Sequence, residues 1–160
     1  MTADDTADDK DRPGVIAPPP LVFFAFLGLG LGLDGVWPLT AVPGAVGRPA
    51  GFALIAIGVG IFAAAIYHLR QAGTSVQTRM PATAVVTSGP FRFSRNPIYL
   101  SASLAFAGIG LAADNVWILA LVVPFLAVIR YGVISREERY LEAKFGEEYR
   151  RYKASVRRWL

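Results

Sequence analysis

A chain of 160 residues suits one domain, and its 54% apolar and 18% charged residues set it apart from soluble domains. The lack of cysteine excludes disulfides, a thiolate metal site and a cysteine nucleophile, and a single histidine, His68, excludes a histidine-rich metal cage, so no protein-bound metal is expected. The net charge of +4 would ordinarily raise nucleic acid as a partner, but the basic residues flank apolar blocks and point to membrane orientation instead.

Residues 1–16 are polar, acidic and free of aromatics, and read as a disordered tail. Residues 17–160 read as a single membrane domain. Pro18, Pro19 and Pro20 stiffen the approach to the first apolar block. A membrane-spanning helix needs roughly 20 mostly apolar residues. Four blocks meet that need, at 21–39, 50–69, 97–113 and 116–134. The fold class expected is all-α and polytopic, with a C-terminal amphipathic helical region at 135–160. A cleaved signal peptide is the competing reading of the first block. The acidic residues in front of it are a poor fit, and no small-x-small cleavage site follows.

Only Asp114 and Asn115 separate the last two blocks, which predicts a tight antiparallel hairpin. Of the 16 lysines and arginines, Arg48 alone falls on one side of this topology. Both termini and the 70–96 loop are therefore expected in the cytoplasm. Gly28 and Gly32 in the first span, and Ser101, Ala105, Gly108 and Ala112 in the third, are small residues at helical spacing that let backbones approach in lipid. Pro124 is expected to kink the fourth span. Trp37, Trp117 and Trp159 suit an interfacial aromatic belt, and His68 an interfacial position.

Two stretches carry candidate chemistry. The first is "GPFRFSRNPIYLS", residues 89–101. Asn96 suits the N-cap and Pro97 the first helical position, so the third span starts here. The positive end of its dipole and its free N–H groups favour an anion. Arg92 and Arg95 add two charges and forked donors for carboxylate or phosphate, and Tyr99 lies one turn in. The competing reading is that these arginines only orient the protein and that Tyr99 is a belt residue.

The second stretch is residues 133–160. Leu141, Phe145, Tyr149, Tyr152, Val156 and Trp159 fall at steps of three or four on one helical face, with Gly146 a candidate break. Glu138 shares that face, and Glu137 points about a hundred degrees away. A carboxylate there needs a partner, for which Arg95, Arg130, Arg136 or a bound cation is available. Arg130 lies inside the predicted fourth span, which makes it a candidate in itself. A purely structural Arg–Glu pair is the competing reading.

In order and spacing, "AGTSV" with "VVTSGPFRFSRNPIYLS", the helical hairpin and "REERYLEAKFGEEYRRYKASVRRWL" resemble the integral-membrane methyltransferases, which include isoprenylcysteine carboxyl methyltransferases and phospholipid N-methyltransferases. The resemblance covers about residues 70–160. It implies a compact helical membrane fold that binds S-adenosylmethionine at its cytoplasmic side and takes its methyl acceptor from the bilayer. The family's cofactor motif maps onto Asn96, Pro97 and Tyr99 with Leu100 behind, and its paired glutamates map onto Glu137 and Glu138. The isoprenylcysteine enzymes commonly have histidine where this chain has Asn96, which puts an imidazole role at that position in doubt. Their arginine upstream of the glutamates matches Arg130 or Arg136.

Methyl transfer from a sulfonium needs alignment and dryness rather than a metal or a protein nucleophile. On this reading Arg92 joins the cofactor site. Arg95, Glu138 and Arg130 are the catalytic candidates, with Glu138 as base for an amine or thiol acceptor, or an arginine placing a carboxylate. The acceptor is expected to be a lipophilic small molecule, with membrane lipids as the other partners and no nucleic acid. The four spans resemble the shorter bacterial members, which implies a bacterial inner membrane. A membrane reductase of the sterol type using NADPH, and a non-enzymatic scaffold that binds anionic lipid, are the alternatives.

Overall fold

The computed structural model describes residues 14–40, 42–74 and 81–160. The expectations for residues 1–13, and for Ser75, Val76 and Arg79 in the loop, lie outside them. The chain forms α1 (Pro19–Val36), α2 (Gly44–Gln71), a 3₁₀ turn (Gly89–Arg92), α3 (Pro97–Ala112) and α4 (Val116–Val128). A π-helical turn (Ile129–Ile134), α5 (Ser135–Phe145) and α6 (Glu147–Ser155) complete it. No strand occurs among the described residues. Three helical rods are long and apolar enough to cross a membrane, and α3 is a shorter apolar helix. Large side chains such as Phe24, Leu31, Phe52, Ile57, Phe62 and Val123 are exposed along them. That is the surface of a protein solvated by lipid.

α1 begins at Pro19 rather than 21, and α2 runs well beyond the 50–69 block at its N-terminal end. Pro49 falls in the second turn of α2, where its missing N–H removes one bond of the helix. The α3–α4 hairpin turns on Asp114, which adopts a left-handed φ of 51°. Asn115 caps α4 by accepting a hydrogen bond from the Ile118 N–H at 2.9 Å. Gly146, with φ 55°, separates α5 from α6 as its sequence position suggests.

α2 packs along α3, α3 on α4, and α4 on α1; α1 and α2 share no comparable seam. The α2–α3 seam is set by glycine. A Cβ on Gly51 would lie 2.5 Å from the Ala112 nitrogen and the Gly108 oxygen, and one on Gly58 2.8 Å from the Ser101 oxygen. The small-residue stripe on α3 is thus in use, met by glycines of α2. In α1 the expectation needs correction. Gly28 and Gly32 face open space, and Gly30 is the one against a neighbour, its Cβ position 2.6 Å from an Ile118 side-chain carbon. Phe23, Phe106 and Phe125 fill the junction of α1, α3 and α4. Phe106 and Phe125 stack at 4.8 Å, and Phe23 meets them edge-on at 5.6 and 6.0 Å.

The fourth span continues through the π turn into α5. Ser135 N–H and Oγ both donate to the Arg130 carbonyl, the Oγ at 2.8 Å, which closes the wider turn. Of the stretch expected to be disordered, residues 14–16 are described, and two of them are bonded to the fold. Ile16 N–H donates to the Gly132 carbonyl at 3.3 Å and Arg136 Nη1 to the Gly14 carbonyl at 2.9 Å. Gly132 has no side chain to obstruct Ile16 there.

Candidate active site

A cavity of about 1000 Å³ lies at the N-terminal end of α3. Its apolar part runs between α1 and α2, with Phe23 and Phe24 on one side, Val59 and Phe62 on the other, and Ala102 and Ala105 of α3 as its floor. Its polar end holds Arg95, Asn96, Tyr99, Glu137 and Glu138, with Tyr149 and Tyr152 of α6. The missing α1–α2 seam is what leaves the apolar part open.

Tyr99 sits in the first turn of α3 and is buried. Its hydroxyl donates to Glu137 Oε1 at 2.8 Å. Glu138, the next residue, is only 4% exposed. It accepts from Arg158 through Nε at 3.1 Å and Nη2 at 2.6 Å, and pairs with Arg95 Nη2 at 3.4 Å. The two adjacent glutamates thus face one cavity with different partners, a neutral phenol and two guanidiniums. The π turn lies just before them. One residue added to a helix rotates every later side chain by roughly 100°, so the orientation of both carboxylates depends on that turn.

The Arg95 side chain is 9% exposed. Its Nε and Nη1 are buried without a hydrogen-bond partner among the described residues. Buried donors of this kind are rare in folded proteins and mark a place where an acceptor belongs. Asn96 precedes α3 but its side chain makes no cap bond. Its Nδ2 instead donates to the Arg158 carbonyl at 3.1 Å, and its N–H to Ser94 Oγ at 3.1 Å. Pro97 is buried beside it and starts the helix as expected.

Four sequence candidates lie elsewhere. Arg130 is exposed, with its guanidinium 5.3 Å from the Tyr131 ring centre. The π turn carries it away from the glutamates, and Arg136 is tied to Gly14 instead. Arg92 is exposed on a separate shallow groove with Glu148 and Arg151. Leu100 is half-buried and does not line the cavity. The base role expected of Glu138 meets a carboxylate already held by two arginines.

Arg158 is the residue that sequence reasoning missed. It is one of several arginines near the C-terminus, and nothing local distinguishes it from Arg157. Tyr149 and Tyr152 are buried, and the Tyr152 hydroxyl donates to the Phe91 carbonyl at 2.8 Å. Burial pushes both phenols well above the usual tyrosine range, so they stay neutral. The loop is tied over this end by the Ala82 N–H, which donates to the Tyr140 hydroxyl at 3.2 Å.

The family model for phospholipid methyltransferase matches residues 47–148, and the chain belongs to that family. The match starts within α2 and stops at the beginning of α6. A relative from Haemophilus influenzae (strain ATCC 51907 / DSM 11121 / KW20 / Rd), described as an uncharacterized protein, is 64% identical over 39 residues. That stretch is 24% of this chain and 62% of the relative, so the chain spans less than two thirds of that protein. No solved structure matches. Family and helices together make this an integral membrane protein of a methyltransferase family.

Proposed function

We propose that the chain transfers a methyl group from S-adenosylmethionine to a lipophilic acceptor at the cytoplasmic face of a bacterial inner membrane, with both termini in the cytoplasm. The observation that carries this reading is the form of the cavity. One end is apolar and lies between α1 and α2, and the other holds Arg95, Tyr99, Glu137 and Glu138. A zwitterionic cofactor and a lipid-borne acceptor need these two environments to meet.

The residues suit the cofactor. The unpartnered donors of Arg95 fit a carboxylate, and Glu137 fits an ammonium or ribose hydroxyls. The buried faces of Tyr149 and Tyr152 fit an adenine or a sulfonium. When bound, S-adenosylmethionine supplies a methyl group on a sulfonium, open to in-line displacement. The protein's part is to orient, through Arg95 and Glu137, and to exclude water, through the phenylalanines of α1 and α2.

The test is transfer of radiolabel from methyl-labelled S-adenosylmethionine into lipid extract by protein in bacterial lipid vesicles. Incorporation that Tyr99→Phe reduces about tenfold or more supports the reading. No incorporation into any lipid or isoprenoid fraction, with oxidation of NADPH instead, contradicts it.

A further inference from the structure

The five residues that end the chain are bound to the site at several points, though the family match stops ten residues before Arg158. The Arg95 N–H donates to the Arg157 carbonyl at 3.0 Å. The Arg158 carbonyl accepts from Ser94 Oγ at 3.2 Å and from Asn96 Nδ2 at 3.1 Å. The Arg158 side chain then holds Glu138 by two bonds. Backbone and side chain of one residue thus clasp both the loop before α3 and the start of α5.

This clasp has a consequence for Arg95. Glu138 is nearly fully buried and, among the described residues, is the one carboxylate that Arg95 pairs with. Without competition, an arginine beside a buried carboxylate takes it in a two-point fork. Here that fork belongs to Arg158, and Arg95 keeps a single contact at 3.4 Å. Its Nε and Nη1 are left in the wall of the cavity, buried and without an acceptor among the described residues.

We propose that Arg158 is a positioning residue which, by taking Glu138 in a two-point bond, frees Arg95 to hold the carboxylate of the cofactor. The proposal rests on the methyltransferase reading and deepens it. Arg95 touches the ligand; Arg158 acts only through Glu138. The C-terminal segment thereby becomes part of the binding site, although it lines none of the cavity.

The test compares two probes by calorimetry on detergent-purified full-length protein: S-adenosylhomocysteine and its decarboxylated analogue. A charge-assisted bond to a carboxylate is worth about ten- to a hundredfold in affinity. The wild type is expected to prefer the carboxylate-bearing probe by that factor. Arg95→Gln is expected to abolish the preference. Arg158→Gln is expected to cut it to about threefold or less, because Arg95 turns to Glu138, while affinity for the decarboxylated probe stays unchanged. A purely structural Arg158 would weaken both probes alike, and that result overturns the proposal. Arg158→Lys keeps the charge but not the fork, and carries the same test if Arg158→Gln does not fold. If both probes bind and the preference survives either arginine substitution, the clasp fails and the methyltransferase reading stands. If neither probe binds folded wild-type protein, both fail together.

Discussion

The two sides of α2 obey different rules. Toward α3 it presents Gly51 and Gly58, and the helix backbones come together with no room for a Cβ. Toward α1 it presents Val59 and Phe62, and no seam forms; a cavity lies there instead. In lipid no hydrophobic drive pulls helices together, so close packing needs small residues, and their absence leaves a gap. One helix thus carries both the anchor of the fold and one wall of the opening. The rigid side fixes the N-terminus of α3, where Tyr99 stands, and the open side is the route that the proposed function assigns to the acceptor.

The polar cluster at the end of that opening gives the largest expected effect. Glu138→Ala leaves two arginines without their shared carboxylate, one of them deeply buried. A loss of about 3 kcal/mol in unfolding free energy is expected, the lower end for a broken buried pair because Arg158 is partly exposed. Denaturant titration in mixed micelles measures it. Next comes the closed seam. Gly51→Ala places a methyl against backbone atoms that cannot rotate away, and about 1–3 kcal/mol is expected from the same titration. Tyr99→Phe removes the hydroxyl that Glu137 accepts from, with an expected loss of about 1–2 kcal/mol and a much larger fall in methyl transfer. The smallest effect belongs to Gly28→Ala, which faces open space on α1 and should gain up to about 1 kcal/mol from helix propensity. Equal losses from Gly28→Ala and Gly51→Ala would erase the contrast between the two sides.

Much of the fold is legible in the sequence. Hydropathy locates four apolar helices, and Asp114 with Asn115 locates the hairpin, because short polar turns between apolar blocks leave the backbone little choice. Asn96-Pro97 marks the start of α3, and the cost of an unpaired carboxylate on an apolar face gives Glu138 a partner, though the sequence leaves Arg95, Arg130, Arg136 and a bound cation open and the fold selects Arg95. Three features are not legible there, each for a physical reason. The glycines at 28, 30 and 32 all suit close packing, and only the rotation of α1 about its axis selects Gly30. The π turn has no sequence signature, yet it separates Arg130 from the glutamates. Arg158 meets Glu138 across 20 residues and a chain reversal at Gly146, a contact that no helical periodicity encodes. The cap role expected of the Asn96 side chain is displaced by that same C-terminal segment.

The most direct measurement is calorimetric titration of S-adenosylmethionine, beside NADPH, into detergent-purified protein shown to be folded. Binding of S-adenosylmethionine in the micromolar range with no heat from NADPH is the predicted result. Binding of NADPH alone, or of neither, would contradict a methyltransferase site at the N-terminus of α3.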